Sequence, residues 1–218
     1  MRILLLSDIH GRTSLLWRIL EKETFDAIFV AGDFTYFEPL SRLKRIFKKM
    51  REITSAPIYF VPGNCDPPDL IAFSDESQKI FNVHEKAIPF EDKIVVGFGG
   101  SNITPFSTLI EFPENIIKDK LANILEKINP DKTLLLTHVP PYNTLDKIYS
   151  GEHVGSTGLR EIIEKFNPLA VFCGHIHEEQ GVTYIGRTIV IHPGPAMRGY
   201  YAIVKINKDK ITPILRKI

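Results

Sequence analysis

The sequence predicts an α/β protein built from two packed sheets with helices outside them. Three observations carry that reading. Over the first 66 residues, apolar runs alternate with amphipathic stretches, the pattern of parallel strands joined by helical crossovers. From residue 79 onward, shorter strands bounded by turn residues replace that alternation, so one simple parallel sheet does not account for the chain. Finally, five apolar runs end in metal-ligating residue types: Asp8-Ile9-His10, Gly32-Asp33, Gly63-Asn64, Thr137-His138 and Gly174-His175-Ile176-His177. A residue just past a buried strand sits at its carboxyl edge, where open α/β sheets bind their ligands.

The elements follow in order. Residues 2–7 read as a buried strand leading into the Asp8-Ile9-His10-Gly11 turn. Residues 14–23 read as a helix, with Leu15, Leu16, Ile19 and Leu20 on one stripe. Residues 27–31 form the next strand and deliver Gly32-Asp33. Residues 39–53 form a basic amphipathic helix whose Leu40, Leu43, Phe47 and Met50 face inward. Its Lys44, Lys48 and Lys49 face water, a solvated face rather than a binding patch. Residues 57–61 are a third strand, before the Pro62-Gly63-Asn64-Cys65-Asp66 loop. Residues 79–98 hold short strands around a hairpin turn at Glu91-Asp92, and a glycine-rich loop follows at 97–102. Residues 114–128 are helical, and 133–136 form a strand ending at His138. Ser156 or Thr157 can cap a helix running to about Phe166. Residues 169–173 feed His175 and His177, and strands with turns at Ile185-Gly186 and Lys208-Asp209 close the chain.

Composition narrows the class. A chain of 218 residues fits one domain, 1–218, with a sizeable core. The formal net charge of +1 points to no dedicated nucleic-acid or membrane surface. No stretch approaches transmembrane length, and the apolar Ile3-Leu4-Leu5-Leu6 run is too short for a signal peptide. Cys65 and Cys173 form no Cys-x-x-Cys pair and fit a reducing compartment. A cytoplasmic protein is the expectation.

Each signature alone is weak, since a lone Asp-x-His or Gly-Asn is ordinarily a turn. The conjunction of five, each after an apolar run, argues for a dinuclear metal site. Such a pair of ions needs a ligand that bridges, and the two oxygens of Asp33 suit that task. Asp8 and His10 are two apart, so in an extended segment both point to one side and can share an ion. His175 and His177 have the same spacing and can divide between the ions. Asn64 offers an amide oxygen and His138 an imidazole. With no thiolate in the set, a structural zinc site is not expected. Mixed oxygen and nitrogen donors suit manganese first, with iron, nickel, cobalt or catalytic zinc as alternatives.

With these residues in place, the chain resembles the calcineurin-like metallophosphoesterases, in particular small prokaryotic members of archaeal type. The resemblance spans nearly the whole chain. It includes Gly99-Gly100-Ser101-Asn102, the His153-Val154-Gly155-Ser156 loop and the Pro193-Gly194 turn. It implies a four-layer α-β-β-α sandwich, two mixed sheets flanked by helices. It also implies two divalent metals, one held by Asp8, His10, Asp33 and His177, the other by Asp33, Asn64, His138 and His175. The implied reaction is attack of a metal-bridging hydroxide on a phosphoester, with Asp33, Asn64 and His138 acting through the metals and on the phosphate. A small or nucleotide-like phosphodiester is the expected substrate. The alternatives are a phosphomonoesterase or protein phosphatase, or a non-catalytic scaffold on the same fold.

Two departures from the family pattern stand out. Many members carry a His after the Asn, where it helps protonate the leaving group; here that position is Cys65. A thiol is a poorer proton donor at pH 7 than an imidazolium, so Cys65 reads as a small loop residue, and His153 either substitutes as the acid or is a solvated loop histidine. The Asn that usually precedes Pro-Gly is His192, read as a turn substitution. Elsewhere Cys173 reads as core, His84 as a surface or strand-end residue, and Trp17 as packing. Asp66 either orients a ligand or shapes its turn, and Arg12 either meets a phosphate or starts the first helix. The groove is expected between loops 101–106 and 140–155, where Phe106 and Tyr142 stack on a base or pack on each other.

Overall fold

The computed structural model describes residues 1–218. From the N-terminus the elements are β1 (Arg2–Leu6), α1 (Thr13–Lys22), β2 (Ala27–Ala31), α2 (Leu40–Ile53), β3 (Ile58–Val61) and β4 (Ile80–Asn82). Next come β5 (Ala87–Phe90), β6 (Lys93–Phe98), β7 (Ser101–Asn102), β8 (Glu111–Phe112), α3 (Glu114–Leu125) and β9 (Thr133–Thr137). The chain ends with α4 (Thr157–Phe166), β10 (Ala170–Phe172), β11 (Gly181–Ile185), β12 (Thr188–His192), β13 (Tyr200–Asn207) and β14 (Lys210–Lys217).

Two six-stranded sheets result, ordered β14-β13-β1-β2-β3-β4 and β11-β12-β10-β9-β6-β5. In the first, β1, β2, β3 and β4 pair in parallel and β13 runs antiparallel to β1. In the second, β6, β9, β10 and β12 are parallel, with β5 and β11 as antiparallel edges. Both sheets are therefore mixed, as expected.

The layering explains why the strands read as unbroken apolar runs. On β1, Ile3 and Leu5 join the core between the sheets, whereas Leu4 and Leu6 join the core under α1 and α2. A third core, under α3 and α4, takes Val96, Leu135 and Val171 from the second sheet. Strands buried on both faces carry no polar alternation. On α2, Leu43, Ile46, Phe47 and Met50 are buried while Lys44, Lys48 and Lys49 are exposed, as its periodicity predicts. Ser156 caps α4: its Oγ accepts from Leu159 N at 3.0 Å. The third helix is shorter than expected and ends at Leu125. No helix is long and apolar enough to cross a membrane.

Candidate metal centre

The chain turns sharply where β1, β2 and β10 end. Asp8, His10, Asp33 and His175 all adopt left-handed backbone, with φ of 54°, 45°, 54° and 75°. That conformation costs a non-glycine residue about 1–2 kcal/mol. It folds each side chain back over the sheet edge. The turns are stitched together: Asp8 N donates to Gly32 O at 3.1 Å, His10 N to Asp33 O at 2.9 Å and Gly11 N to Phe34 O at 2.8 Å. The expectation of an extended Asp8-x-His10 segment is thus corrected. The two residues do meet, but through consecutive tight turns rather than strand alternation.

The glycines before the ligands make room. Gly32 has φ of +83°, and a Cβ there would press on His138 Nδ1 and the Gly63 backbone. A Cβ on Gly63 would overlap the Asp33 carboxylate. Only bare backbone lets the second and third ligand loops approach this closely.

All seven sequence-derived candidates converge. Asp33 Oδ2 lies 3.4 Å from both His10 Nε2 and His138 Nε2. On one side of it, His177 Nε2 is 3.0 Å from His10 Nε2 and 3.4 Å from Asp8 Oδ1. On the other, His138 Nε2 is 2.8 Å from Asn64 Oδ1, and the His175 ring packs edge-on to His138 at 4.9 Å. Asp8, His10 and His177 form one compact donor trio, and Asp8, Asp33 and His138 form another. His177 lies on the His10 side of the cluster and His175 on the His138 side.

This donor set fits cations. His138 Nδ1 donates to Ala31 O at 2.7 Å, which leaves Nε2 facing the oxygens of Asn64 and Asp33. Once its proton is displaced, that nitrogen offers a lone pair beside two oxygen donors. Asp8 Oδ1 and His10 Nδ1 are buried without hydrogen-bond partners. Donor separations of 3.0–3.4 Å are the edges expected for bonds of about 2.1 Å meeting at about 90–110°.

The electrostatics tell the same story. Burial opposes ionisation of Asp8, yet the His177 imidazole holds its carboxyl well below the usual range. Asp33 is likewise lowered: burial opposes, and His138 outweighs it. Burial disfavours charge on His138 too, but the Asp33 carboxylate raises it to about 9. Burial keeps His175 neutral, down to about 3. Two buried carboxylates are thus kept ionised by neighbouring imidazoles, a service that cations would perform in the same place.

Supporting residues complete the site, several without any sequence signal. Ser7 Oγ donates to Asp8 Oδ2. Asn64 Nδ2 donates to Thr108 Oγ1 at 3.0 Å, which turns the amide oxygen towards His138. Asp66 serves both roles considered for it. Its carboxylate accepts from Gly63 N, Phe34 N and Thr35 N, clamping the Asp33 and Asn64 loops together. Cys65 acts through its backbone, donating to Asp33 Oδ1 at 2.9 Å. Burial, then Asp33, pushes its thiol far above the ordinary range. His192 is buried beside its turn, where Nδ1 accepts from Gly194 N at 3.0 Å. Arg12 is exposed at the start of α1, Trp17 packs on the first core and Cys173 lies in the third. His84 is not a surface residue. It is buried against Phe98 and Phe112, and its Nδ1 accepts from Gly99 N at 2.9 Å.

A groove of about 710 Å³ opens beside the cluster, with Asn64, His175 and His177 in its wall. The expected loops border it, through Asn102 to Phe106 and Tyr142 to Gly155. His153 lies on this wall, its Nδ1 2.5 Å from buried Asp146 Oδ1. Phe106 and Tyr142 remain exposed, and Tyr142 packs edge-on to His153 at 6.0 Å.

Comparison with known proteins bears on this arrangement. The profile of the calcineurin-like phosphoesterase family matches residues 1–179. An uncharacterised protein of Methanocaldococcus jannaschii is 37% identical over 202 residues, covering 89% of this chain and 88% of that protein. The crystal structure of a Thermus thermophilus protein superposes with a TM-score of 0.73 at 21% identity, covering 97% of each chain. A structure described as a novel archaeal phosphodiesterase superposes with a TM-score of 0.57 at 16% identity, covering 99% of this chain and 100% of that one.

Proposed function

Because the chain belongs to the calcineurin-like phosphoesterase family, we propose that it is a dinuclear-metal-dependent phosphodiesterase acting on a small or nucleotide-like diester. The observation that carries this reading is Asp33, whose Oδ2 sits equidistant, at 3.4 Å, from an imidazole of each half of the cluster. Asp8, His10 and His177 would hold one cation with Asp33. Asn64, His138 and His175 would hold the other. Manganese suits the mixed oxygen and nitrogen donors, and iron, nickel, cobalt and zinc are tolerated by the same set. Such ions supply Lewis acidity towards phosphoryl oxygens and acidify water.

The chain's own residues do the rest. Asn64, braced by Thr108, and His138, braced by Ala31, hold in fixed orientation the atoms that would meet the second cation. His153 is the proton donor for the leaving oxygen in this reading. Asp146 accepts from its Nδ1–H, so Nε2 is the nitrogen left for proton transfer, donating from the doubly protonated ring. Cys65 is unsuited to that role, since its thiol is buried and strongly raised.

A diester is favoured over a monoester because apolar surface flanks the cluster on both halves. Exposed Tyr36 packs beside His10 with Phe37 behind it, and the groove opens beside His175 and His177. Two ester arms thus find two surfaces. The test is a screen of aryl diesters against aryl monoesters, with manganese, nickel and zinc added in turn to metal-stripped protein. Diester turnover should exceed monoester turnover, and Asp33→Asn should lower it by about 100-fold or more. Preference for monoesters, or full activity in Asp33→Asn, would overturn the reading.

A further inference from the structure

We propose that the groove beside His175 and His177 seats a flat, uncharged aromatic leaving arm of the substrate, and that Phe106, Tyr142 and Tyr149 set the preference for it. This rests on the phosphodiesterase reading and adds the chemistry of the arm. The groove's volume of about 710 Å³ falls within the range typical of small-molecule sites. It is continuous with the metal cluster, so whatever fills it is covalently within reach of the phosphate.

Its outer walls are apolar and exposed. Ile103 is 62% exposed, Phe106 81% and Tyr149 84%, all on the two loops that border the groove. Large apolar side chains left in water together, rather than singly, mark a binding surface. Aromatic faces stack on flat rings and gain little over an alkyl chain that cannot stack.

Charge narrows the occupant further. No Lys or Arg lines the groove, and its carboxylates are those of Glu114 and Glu178. Glu114 is already engaged, accepting from Ser156 Oγ at 2.6 Å and Gly158 N at 2.8 Å. An arm carrying further phosphates would leave the cations and meet the carboxylates of Glu114 and Glu178, with His153 the one basic ring outside the cluster. The groove therefore disfavours a polyphosphate chain or a nucleic-acid strand and favours a neutral ring system.

The wall is also held in shape before anything binds. Buried Asp146 accepts from Asn143 N, Thr144 N and Gly155 N, each at 2.9 Å, and anchors His153 as well. A prearranged wall reduces the ordering cost of binding.

The experiment uses the full-length, manganese-reconstituted enzyme and three methyl diesters. Their leaving arms are 2-naphthyl, n-octyl and hexafluoroisopropyl, the first and last having leaving groups of comparable acidity. Wild type should prefer the naphthyl diester in kcat/KM. Phe106→Ala and Tyr149→Ala, both at exposed positions, should lower the naphthyl-to-hexafluoroisopropyl ratio of kcat/KM by about fivefold or more, chiefly through KM. An unchanged ratio in both variants, or a wild-type preference for the octyl diester, would overturn the proposal while leaving diester hydrolysis intact. Failure of wild type to turn over any of the three would instead remove the functional reading beneath it.

Discussion

Replacing Asp66 with Asn tests how far the metal centre depends on a side chain that is not itself a candidate ligand. The Asp66 carboxylate is fully buried and accepts four hydrogen bonds. Oδ2 takes Gly63 N at 2.9 Å and Phe34 N at 3.2 Å, and Oδ1 takes Thr35 N at 2.9 Å and Thr35 Oγ1 at 3.0 Å. Asparagine has one acceptor oxygen. Its least costly placement keeps that oxygen towards Gly63 and Phe34. The Thr35 hydroxyl can then rotate to accept from the new amide, but Thr35 N–H faces a nitrogen. One stranded buried donor costs about 1–3 kcal/mol, and two bonds weakened from charged to neutral cost about 0.5–1 kcal/mol each. Against this, burial and then Asp33 already push the Asp66 pKa up to about 7, so part of the cost of holding a charge there is relieved. The expected loss is about 2–3 kcal/mol, or about 5–10 °C in Tm for a chain of this size. Calorimetry on metal-stripped protein reads that loss. Titration with manganese should show affinity weakened about 10- to 100-fold, because the clamp joins the loops of Asp33 and Asn64. A Tm drop below about 2 °C with unchanged metal affinity would refute the clamp.

Three further outcomes can be checked separately. Gly63→Ala should lose stoichiometric metal, measured by elemental analysis, and lower Tm, because the new Cβ displaces both the carboxylate and the backbone N of Asp33. His84 is buried with its pKa lowered from 6.5 to about 4, mainly by burial; the unfolded chain takes up this proton below 6.5 and the fold does not until about 4. Its stabilisation is therefore full above 6.5 and lost as the pH falls towards 4, amounting to about 2 kcal/mol at pH 5, and the Tm decrease between pH 7 and pH 5 should be smaller in His84→Gln than in wild type. Removal of metal by a chelator should lower Tm by about 5–10 °C, as for a ligand present at about 100 times its Kd, while the circular dichroism spectrum at 25 °C is retained.

The sequence made the strands and the ligands visible for one shared reason. Strands such as β1 are buried on both faces, so Ile3, Leu4, Leu5 and Leu6 form an unbroken run, and an aspartate two residues past it has no packing explanation. The same logic exposed Asp33, Asn64, His138 and His175. Backbone conformation stayed hidden, because Asp8, His10, Asp33 and His175 adopt left-handed φ without being glycine. The spacing argument therefore brought Asp8 and His10 together by the wrong geometry. Thr108 and Asp146 were also illegible. Each matters through a partner distant in the chain or through a loop closure, Thr108 through Asn64 and Asp146 through His153. A lone histidine such as His84 has no pattern that separates a solvated ring from one wedged between Phe98 and Phe112.

The strained turns bear on how the centre works. Four of the seven candidate ligands sit in left-handed backbone, together costing several kcal/mol. Backbone hydrogen bonds brace the first ligand loop, where Gly32 O, Asp33 O and Phe34 O accept from Asp8, His10 and Gly11. The Asp66 clamp then fixes the third loop to the second. Hydrogen bonds between the loops thus offset part of the strain, so that less of the ions' binding energy goes into arranging their ligands. A site organised in advance can leave that energy for charge developing on the phosphate. That is why chelation should lower the melting temperature without unfolding the chain, whereas breaking the Asp66 clamp should weaken metal binding with every candidate ligand still present.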